Sequence, residues 1–303
     1  MDRVLAIVVS YNGMKWYSKC FQNLENSSIP IDIIAVDNAS VDSSIDYIKK
    51  NFPKVLIIAQ DSNKGFGKAN NEGLKEALKQ DADYVFLLNQ DAWVEEDTIE
   101  KLIAVHKAQQ DYGILSPMHL NGKGDELDGG FQNYISPIYT PNFVSDQCLD
   151  KLSDVYETRF VNAAAWLISR KCLETIGGFD PIFYHYGEDN NYCQRVRYHG
   201  LKVGIVPTVR IYHDRDYQQE EYGKEQILRH YLITIADIGN PNFRKENNRF
   251  IYQDRIRIIT GVLRGDSNRI ASNIKNLRIK RKYYPMALKS RNQNQKKGAN
   301  YLS

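Results

Sequence analysis

The stretch VLAIVVSYN, residues 4–12, decides the fold, because six consecutive apolar residues end there in Ser, Tyr and Asn. Three further apolar runs rich in Val and Ile follow at Ile31–Val36, Val55–Ala59 and Tyr84–Leu88. Runs of this length and composition are typical of strands buried on both faces of a sheet. Segments with helical spacing separate them, near residues 14–26, 42–50 and 67–80. Strands that alternate with helices predict an α/β fold, with a mixed, mainly parallel sheet flanked by helices.

The pattern becomes less regular after a predicted strand over Gly113–Met118. Gly and Pro punctuate residues 119–160, which favours hairpins or a mobile loop. A strand pair is predicted near 203–213. From Asp216 the pattern is helical to about Lys282, and we expect the last dozen residues to be disordered. These changes predict three parts, with boundaries at 1–118, 119–216 and 217–303.

The charge of the chain is divided unevenly. The formal net charge of the 303 residues is +3, but the residues from Pro241 to the end include 16 Lys and Arg against 3 Asp and Glu. The first 240 residues therefore carry a net charge of −10 and the remainder +13. A strongly basic segment of this kind indicates an anionic surface as a partner. Because no RNA-binding motif accompanies it, we expect no nucleic acid partner.

Cysteine usage and hydropathy indicate the compartment. Four widely spaced cysteines without a C-x-x-C pattern predict free thiols in a reducing environment. No apolar run of the sequence approaches the roughly 20 residues that a membrane span needs. We therefore expect a cytoplasmic protein, with any attachment to the inner face of the cell membrane being peripheral.

Small and polar residues follow all four predicted strands, where an open α/β sheet binds its ligands. They are Ser10-Tyr11-Asn12, Asp37-Asn38-Ala39-Ser40, Asn63-Lys64-Gly65-Phe66-Gly67 with Asn70-Asn71, and Asn89-Gln90-Asp91. Taken singly, such residues are ordinary in turns and helix caps. The chain lacks both G-x-G-x-x-G after the first strand and the Lys-Ser/Thr ending of a P-loop, which disfavours dinucleotide oxidoreductases and P-loop NTPases.

As a set, these residues resemble family-2 glycosyltransferases of the GT-A fold, and bacterial rhamnosyltransferase-like members look most similar. The matching stretches are VVSYN at 8–12, VDNASVDSS at 36–44, NKGFGKANNEG at 63–73, LLNQDAWV at 87–94 and GGFDPIFYHYGEDNNYCQRVRYHG at 177–200. His213 matches too, and the resemblance covers about residues 3–215. It implies a nucleotide-binding half over 1–118 and an acceptor-binding half over 119–216. The helical pattern and basic charge of residues 217–303 predict a C-terminal extension outside the resemblance.

The resemblance also implies a donor site and a metal site. The residues expected to bind the nucleotide-sugar donor are Ser10, Tyr11, Asn12, Asp37, Asn63, Lys64, Gly65, Asn70, Asn89 and Asp91. The D-x-D element of the family corresponds to Asn89-Gln90-Asp91, so Asp91 is its only carboxylate. Asp91 and His213 are therefore the expected ligands of Mg²⁺ or Mn²⁺, which would stabilise the diphosphate leaving group.

The E-D motif of the family corresponds to Glu188-Asp189, which lies at the predicted start of a helix. Asp189 is the expected general base, with Glu188 orienting it or contacting the acceptor. Acids in a first helical turn are also favoured by the helix dipole alone. Many relatives carry a further acid where this chain has Asn191. The residues expected to line the acceptor and sugar pocket are Trp166, Trp93, Tyr186 and Arg195.

The expected function is thus an inverting, metal-dependent transfer of a sugar, with rhamnose as one candidate. The donor would be a dTDP-, UDP- or GDP-sugar, and the acceptor a saccharide or a lipid-linked saccharide, as in cell-surface polysaccharide assembly. Two alternatives remain open. A degenerate nucleotide-sugar- or glycan-binding protein is suggested by Asn89 and Asn191. A sugar nucleotidyltransferase would share the α/β body, but would need a basic, Gly-rich loop after the first strand, which Ser10-Tyr11-Asn12-Gly13 does not supply.

Overall fold

The four apolar runs form four parallel strands, each within one residue of its predicted bounds. They are β1 (Val4–Ser10), β2 (Asp32–Asp37), β3 (Leu56–Ala59) and β4 (Tyr84–Asn89). The helices between them are α1 (Met14–Glu25), α2 (Ser44–Asn51) and α3 (Phe66–Lys79). The computed structural model describes residues 2–215, 232–243 and 249–302.

The second half completes the sheet with largely antiparallel strands. Its elements are β5 (Ala92–Val94), α4 (Thr98–Ala108), β6 (Tyr112–Asn121), α5 (Phe143–Cys148), β7 (Tyr156–Glu157), β8 (Ala165–Ser169), α6 (Arg170–Ile176), α7 (Glu188–Tyr198) and β9 (Lys202–His213). The strand order is β3-β2-β1-β4-β8-β6-β9-β5, and β7 pairs with β9. Strand β8 enters antiparallel between β4 and β6, whereas β6 and β9 are parallel. The predicted mixed α/β sheet is confirmed.

Two details of the second half differ from the expectation. Residues 203–213 form one long strand, β9, rather than a pair, because its two edges are already occupied by β6 on one side and by β5 and β7 on the other. The segment 119–160 contains helix α5 and strand β7 in addition to loops. The order in this segment comes from aromatic side chains, among them Phe131, Phe143 and Phe160, which are buried in the core.

Apolar side chains cover both faces of the sheet. One cluster packs α3, α6 and α7 against the strands, and a second packs α1, α2 and α4 against the opposite face. The sheet is therefore buried on both sides, as the continuous apolar runs predict. This packing fixes the carboxyl ends of β1, β2 and β4 at one edge of the sheet, where Ser10 pairs in register with Asp37 and Val9 with Asn89.

The C-terminal part of the described chain is helical and packs on the body. It comprises α8 (232–238), α9 (Arg249–Leu263) and α10 (Ser267–Asn294). Two expectations were wrong: the helix continues beyond Lys282 to Asn294, and the described residues 295–302 are ordered by contacts with the body. Asn294 is fully buried, and Gly178 donates a backbone hydrogen bond to Asn300. The predicted boundary at residue 216 lies at the edge of the described residues. Among the helices that the structure describes, none is long and apolar enough to cross a membrane.

Candidate active site

The first cavity opens at the carboxyl edge of β1 and β4, where the strand order reverses. Its volume is about 360 Å³. Among the described residues, it is lined by Val9, Tyr11, Asn38, Asn63, Gly65, Phe66, Asn89, Gln90, Asp91, Tyr184 and His185. In open α/β sheets this crevice is the usual place for a nucleotide. Half-exposed Tyr11 offers an aromatic face there, and the amide side chains offer hydrogen bonds.

Hydrogen bonds between side chain and backbone hold the edges of this cavity. Gln90 accepts a bond from the Tyr11 backbone nitrogen (2.8 Å) and donates one to the Tyr11 carbonyl (3.1 Å), which ties the end of β1 to the end of β4. The Oδ1 atom of Asn63 accepts bonds from Asn38 Nδ2 (2.9 Å) and from the Gly65 backbone nitrogen (3.0 Å). These bonds place Asn38, Asn63 and Gly65 along one wall.

Gly65 is required at its position for two reasons. Its φ is +83°, which disfavours other residues, and a Cβ atom there would overlap the carbonyl oxygen of Tyr184. The Tyr184 hydroxyl lies 3.1 Å from Asn63 Oδ1. The loop before α7 therefore packs directly on the Gly65 loop, so the two walls of the site are in contact.

A second cavity of about 250 Å³ adjoins the first and shares Phe66, Asn89, Asp91 and His185 with it. The other described residues that line it are Asn162, Ala163, Ala164, Tyr186, Gly187, Glu188, Asp189, Asn190, His213, Arg215 and Ile233. Asn89 and Asp91 therefore stand at the junction of the two cavities. The second cavity is therefore lined both by the predicted metal ligands, Asp91 and His213, and by the predicted general base, Asp189.

Two successive left-handed residues bring the acids of α7 to the second cavity. Tyr186 has φ +69° and Gly187 has φ +89°, and helix α7 begins immediately after them at Glu188. Glu188 is 5% exposed, whereas Asp189 is half-buried and accepts a bond from the Asn190 backbone nitrogen (2.8 Å). Both acids lie in the first turn of α7, where the positive end of a helix dipole favours negatively charged side chains.

Asp91, His213 and Asp128 form a row at the cavity floor. The Nε2 atom of His213 lies 3.3 Å from Asp91 Oδ1, and its Nδ1 atom lies 3.3 Å from Asp128 Oδ2. Burial alone would lower the pKa of His213, but the two carboxylates outweigh it and raise that pKa above its ordinary value. Burial likewise acts to raise the pKa of Asp128, yet His213 and Arg215 hold it well below its usual range.

The donor set at the junction fits a divalent cation that is shared with a substrate. A carboxylate oxygen and an imidazole nitrogen are 3.3 Å apart there, and both are ligands that Mn²⁺ accepts. Asn89 Oδ1 is buried at the same junction, and no described residue supplies it with a hydrogen bond. Within the described ranges no cluster of three His, Cys, Asp or Glu side chains could hold a metal by itself. A cation held by one or two protein ligands plus diphosphate oxygens is the arrangement that such a site can provide.

Three of the expected pocket residues lie elsewhere, which corrects those predictions. Trp166 is fully buried and stacks on Phe179 in the core. Trp93 stacks on Tyr212, with Lys19 over its ring. Neither tryptophan lines either of the two cavities described above.

Arg195 is the third correction. Its buried guanidinium donates bonds to Asn191 Oδ1 (3.0 Å) and to the carbonyls of Ile176 (2.8 Å) and Gly178 (2.5 Å). It therefore holds α7 against the 177–178 turn and lines neither of the two cavities. Asn191, at the position of a family acid, is a partner in this structural contact.

The other donor-binding predictions fall into two groups. Tyr11, Asn63, Gly65, Asn89 and Asp91 line the first cavity. Ser10, Asn12, Asp37, Lys64 and Asn70 do not line it. Their contacts are as follows: the Asp37 carboxylate accepts bonds from Ser10 and Ser40, Asn12 accepts one from the Val41 backbone, Asn70 donates to the Phe66 carbonyl, and Lys64 pairs with Asp61. Their part in donor binding remains a prediction.

Sequence reasoning missed several residues that line the cavities or support them. They are Asn38, Phe66, Asn162, His185 and Arg215 at the surface of the cavities, and Asp128 beneath them. Asn38 and Phe66 lie inside the matching stretches and could have been found there. Asp128 and Arg215 give no signal in the sequence, because long-range pairing of β6 with β9 brings them together.

The fold and this arrangement define a class of protein. A model of glycosyl transferase family 2 matches residues 5–177, more than half of the chain. The chain therefore belongs to glycosyltransferase family 2, and the resemblance predicted from its motifs is confirmed.

Individual relatives agree with that class. Low-salt glycan biosynthesis hexosyltransferase Agl10 of Haloferax volcanii is 23% identical over 86% of this chain and 83% of its own length. An N-acetylglucosaminyl-diphospho-decaprenol L-rhamnosyltransferase of Mycobacterium tuberculosis is 20% identical over 70% of this chain and 75% of its own. Mannosyltransferase PcManGT from Pyrobaculum calidifontis, solved with GDP-Man and Mn²⁺, superposes with a TM-score of 0.58 at 16% identity, over 97% of this chain and 86% of its own. This likeness confirms the GT-A fold.

Proposed function

We propose that this chain is a metal-dependent, inverting glycosyltransferase that moves a sugar from a nucleoside diphosphate to a hydroxyl of a saccharide. One observation carries the proposal: two cavities meet at Asn89 and Asp91, and the acids of α7 line only the second. A donor that spans the junction would have its nucleotide in one cavity and its sugar facing the base in the other.

The first cavity would hold the nucleotide. Tyr11 can stack on a base, and the amides of Asn38 and Asn63 can bond to base or ribose. Asp37 would accept a hydrogen bond from a pyrimidine base. Because its carboxylate is buried and bonded to Ser40, that contact would require rearrangement of this bond or the use of its remaining lone pairs. The nucleotide could be dTDP, UDP or GDP.

Asp91 and His213 would hold the divalent cation, with Mg²⁺ and Mn²⁺ as the candidates. When bound, such a cation neutralises the charge that develops on the departing diphosphate. Asn89 lines both cavities, and its buried Oδ1 atom, which no described residue supplies with a hydrogen bond, would accept a bond from the donor after a small side-chain rotation.

The second cavity would hold the acceptor. The Asp189 carboxylate takes the proton of the acceptor hydroxyl, whose oxygen then bonds to the anomeric carbon. The bond from that carbon to the diphosphate breaks, and its electron pair leaves with the diphosphate. A base that activates the acceptor for direct displacement inverts the configuration. General-base catalysis of this kind contributes about 10²–10⁴-fold in rate.

The acceptor and the location of the enzyme are finer parts of the proposal. The mycobacterial relative is named for a diphospho-decaprenol acceptor and for rhamnose, which supports a lipid-linked saccharide and rhamnose as the first choices. Helix α9 supports attachment to an anionic membrane, because exposed Tyr252, Ile256 and Ile259 lie on it beside Arg255 and Arg257. A protein at the membrane surface would have direct access to such an acceptor.

A panel of dTDP-, UDP- and GDP-sugars tests the function. We expect release of nucleoside diphosphate from one of them with Mn²⁺ or Mg²⁺, and loss of that release in EDTA. Asp91→Ala should reduce turnover at least about 100-fold, because a leaving group without its cation loses several kcal/mol of stabilisation. Asp125→Asn, an exposed acid of the 119–130 loop, is the matched control and should keep wild-type turnover. Tight donor binding without any turnover would instead support the degenerate binding protein.

A further inference from the structure

The third member of the row at the cavity floor, Asp128, belongs to no motif of the sequence. It follows β6 in the loop that was expected to be irregular, and its side chain is 2% exposed. A carboxylate buried to that degree is costly unless every oxygen is engaged. Its position is therefore explained by what it contacts.

Both oxygens of Asp128 are engaged, and one contact points to the metal site. Oδ1 accepts bonds from the backbone nitrogens of Gly130 and Phe131, each at 2.9 Å. Oδ2 accepts a bond from Arg215 Nε at 2.6 Å and lies 3.3 Å from Nδ1 of His213. The loop backbone thus fixes the carboxylate, and the carboxylate in turn faces the imidazole.

We propose that Asp128 is the positioning residue that orients His213 for cation binding. Asp128 Oδ2 lies 3.3 Å from Nδ1, close to it but outside hydrogen-bond geometry. A small rotation of the ring would let Nδ1 donate a proton to Asp128 and would leave the Nε2 lone pair directed at Asp91 Oδ1, 3.3 Å away. Two lone pairs that face each other at this distance repel unless a cation or a proton lies between them. Metal-bound histidines commonly donate their other ring nitrogen to a carboxylate in this way, which fixes the tautomer and the ring orientation. The proposal rests on the metal site of the proposed function.

The packing around the imidazole limits other orientations. His119 contacts His213 edge to face, with ring centroids 6.2 Å apart, and stacks on Phe131 at 4.4 Å. The backbone nitrogen of Phe131 also donates a hydrogen bond to Asp128. The same loop therefore fixes the Asp128 carboxylate and, through His119, packs against the imidazole of His213. His119 bonds to Ser116 through Nε2 (3.1 Å) and offers His213 no acceptor comparable to the carboxylate.

Mn²⁺ binding to the full chain, followed by electron paramagnetic resonance of the free ion, tests the proposal without any substrate. Asp128→Asn should weaken Mn²⁺ binding about 10–100-fold, the usual effect of losing such a supporting carboxylate. Asp125→Asn removes the same charge three residues away and should bind Mn²⁺ like the wild type. In a His213→Ala background, Asp128→Asn should have little further effect, because the two residues act as one unit.

A second measurement covers the case in which Asp128→Asn unfolds. Nitrogen chemical shifts of His213 in the metal-free wild type at pH 8.5 report the tautomer, and we expect the proton on Nδ1. A proton on Nε2, or equal Mn²⁺ affinity in wild type and a folded Asp128→Asn variant, overturns the proposal. So does the absence of Mn²⁺ binding to the wild type. In that last case, transfer that persists in EDTA would show that the glycosyltransferase proposal stands without its metal.

Discussion

Asp189 is the residue on which the proposed chemistry depends most directly. We predict that Asp189→Asn lowers the turnover number of sugar transfer by about 10²–10⁴-fold, because the amide cannot accept the hydroxyl proton. The dissociation constant for the nucleoside diphosphate should change less than about threefold, because Asp189 does not line the first cavity. Single-turnover assays and titration calorimetry measure the two quantities.

Glu188→Gln separates the two adjacent acids. Glu188 is almost fully buried, so we assign it to orientation of the site, and its variant should be impaired less than Asp189→Asn. The reverse ranking would make Glu188 the base. Near wild-type turnover in both variants would remove the proposed base mechanism altogether.

The sequence predicts that a residue lines the cavity most successfully where that residue lies at the carboxyl end of a strand. Asn89 ends β4, Tyr11 and Asp91 follow the ends of β1 and β4, and all three line the first cavity. The prediction that Trp166 and Arg195 line the pocket was wrong, because residue type alone does not indicate whether a side chain is buried in the core. A guanidinium whose bonds go to two carbonyls and an amide is as stable inside the protein as one that binds phosphate at its surface.

At the scale of elements, the turn at residues 177–180, from which the chain leads to Glu188 and Asp189, is held by residues near the C-terminus. We name residues 290–302 the C-terminal clasp. Ser290, Asn294 and Tyr301 all bring polar atoms within hydrogen-bond distance of the Asp180 carboxylate. A Cβ atom on Gly177 would overlap the backbone of Asn300, which explains a glycine there in addition to its φ of +80°.

Deletion of residues 298–303 should therefore impair transfer more than donor binding. The deletion removes the bond from Gly178 to Asn300 and the Tyr301 contact, and so frees the loop that leads from Asp180 to Asp189. We expect at least about a tenfold loss of turnover, since a small misplacement of a catalytic group costs up to about 100-fold. Nucleoside diphosphate affinity, measured by calorimetry, should stay within about threefold of the wild type, because none of the deleted residues lines the first cavity.

Tyr301→Phe and Lys297→Ala complete this test. The first removes only the hydroxyl that contacts Asn294 at 2.8 Å and should lower the melting temperature, because a buried hydrogen bond contributes about 1 kcal/mol. The second replaces an exposed side chain and should be silent. Full transfer activity in the deletion variant would show that the clasp has no part in positioning the loop.

The elements of the first half were predictable because each buried strand carries its own apolar signal. The clasp was not predictable, because its residues are polar and resemble a disordered tail. Asn294, Ser290 and Asn300 are ordered by partners more than 100 residues away, and no local pattern encodes such pairings. The same holds for β8, whose antiparallel entry beside β4 depends on contacts across the sheet.

At the scale of the whole molecule, some basic residues of the last quarter are buried and stabilise the fold, whereas others are exposed at the surface. Lys280 is buried against Asp254 at 2.8 Å, so it joins α10 to α9 and is not available to a partner. The outer side of α9 instead presents an apolar stripe. Tyr252, Ile256, Ile259 and Leu263 recur at helical spacing and are between 56% and 81% exposed. Exposed arginines flank them at positions 255, 257 and 264.

This stripe, with its arginines, has the composition of a helix that lies on an anionic membrane. We predict that the full chain floats with vesicles that contain anionic lipid and not with neutral ones, since each basic residue near the surface contributes about 1 kcal/mol. The double variant Ile256→Glu, Ile259→Glu should bind at least about tenfold more weakly, because burying an isoleucine contributes about 1.5–3 kcal/mol.

Ile138→Glu is the matched control, because Ile138 is 71% exposed but lies in the loop of the second half, away from α9. It should leave vesicle binding unchanged. Binding should also fall steeply with salt, because the arginines act through a surface potential that ions screen over about 10 Å at 0.1 M. Equal recovery with neutral and anionic vesicles, or equal binding of the double variant and Ile138→Glu, would assign the stripe to a protein partner, and the proposed route to a lipid-linked acceptor would then need another anchor.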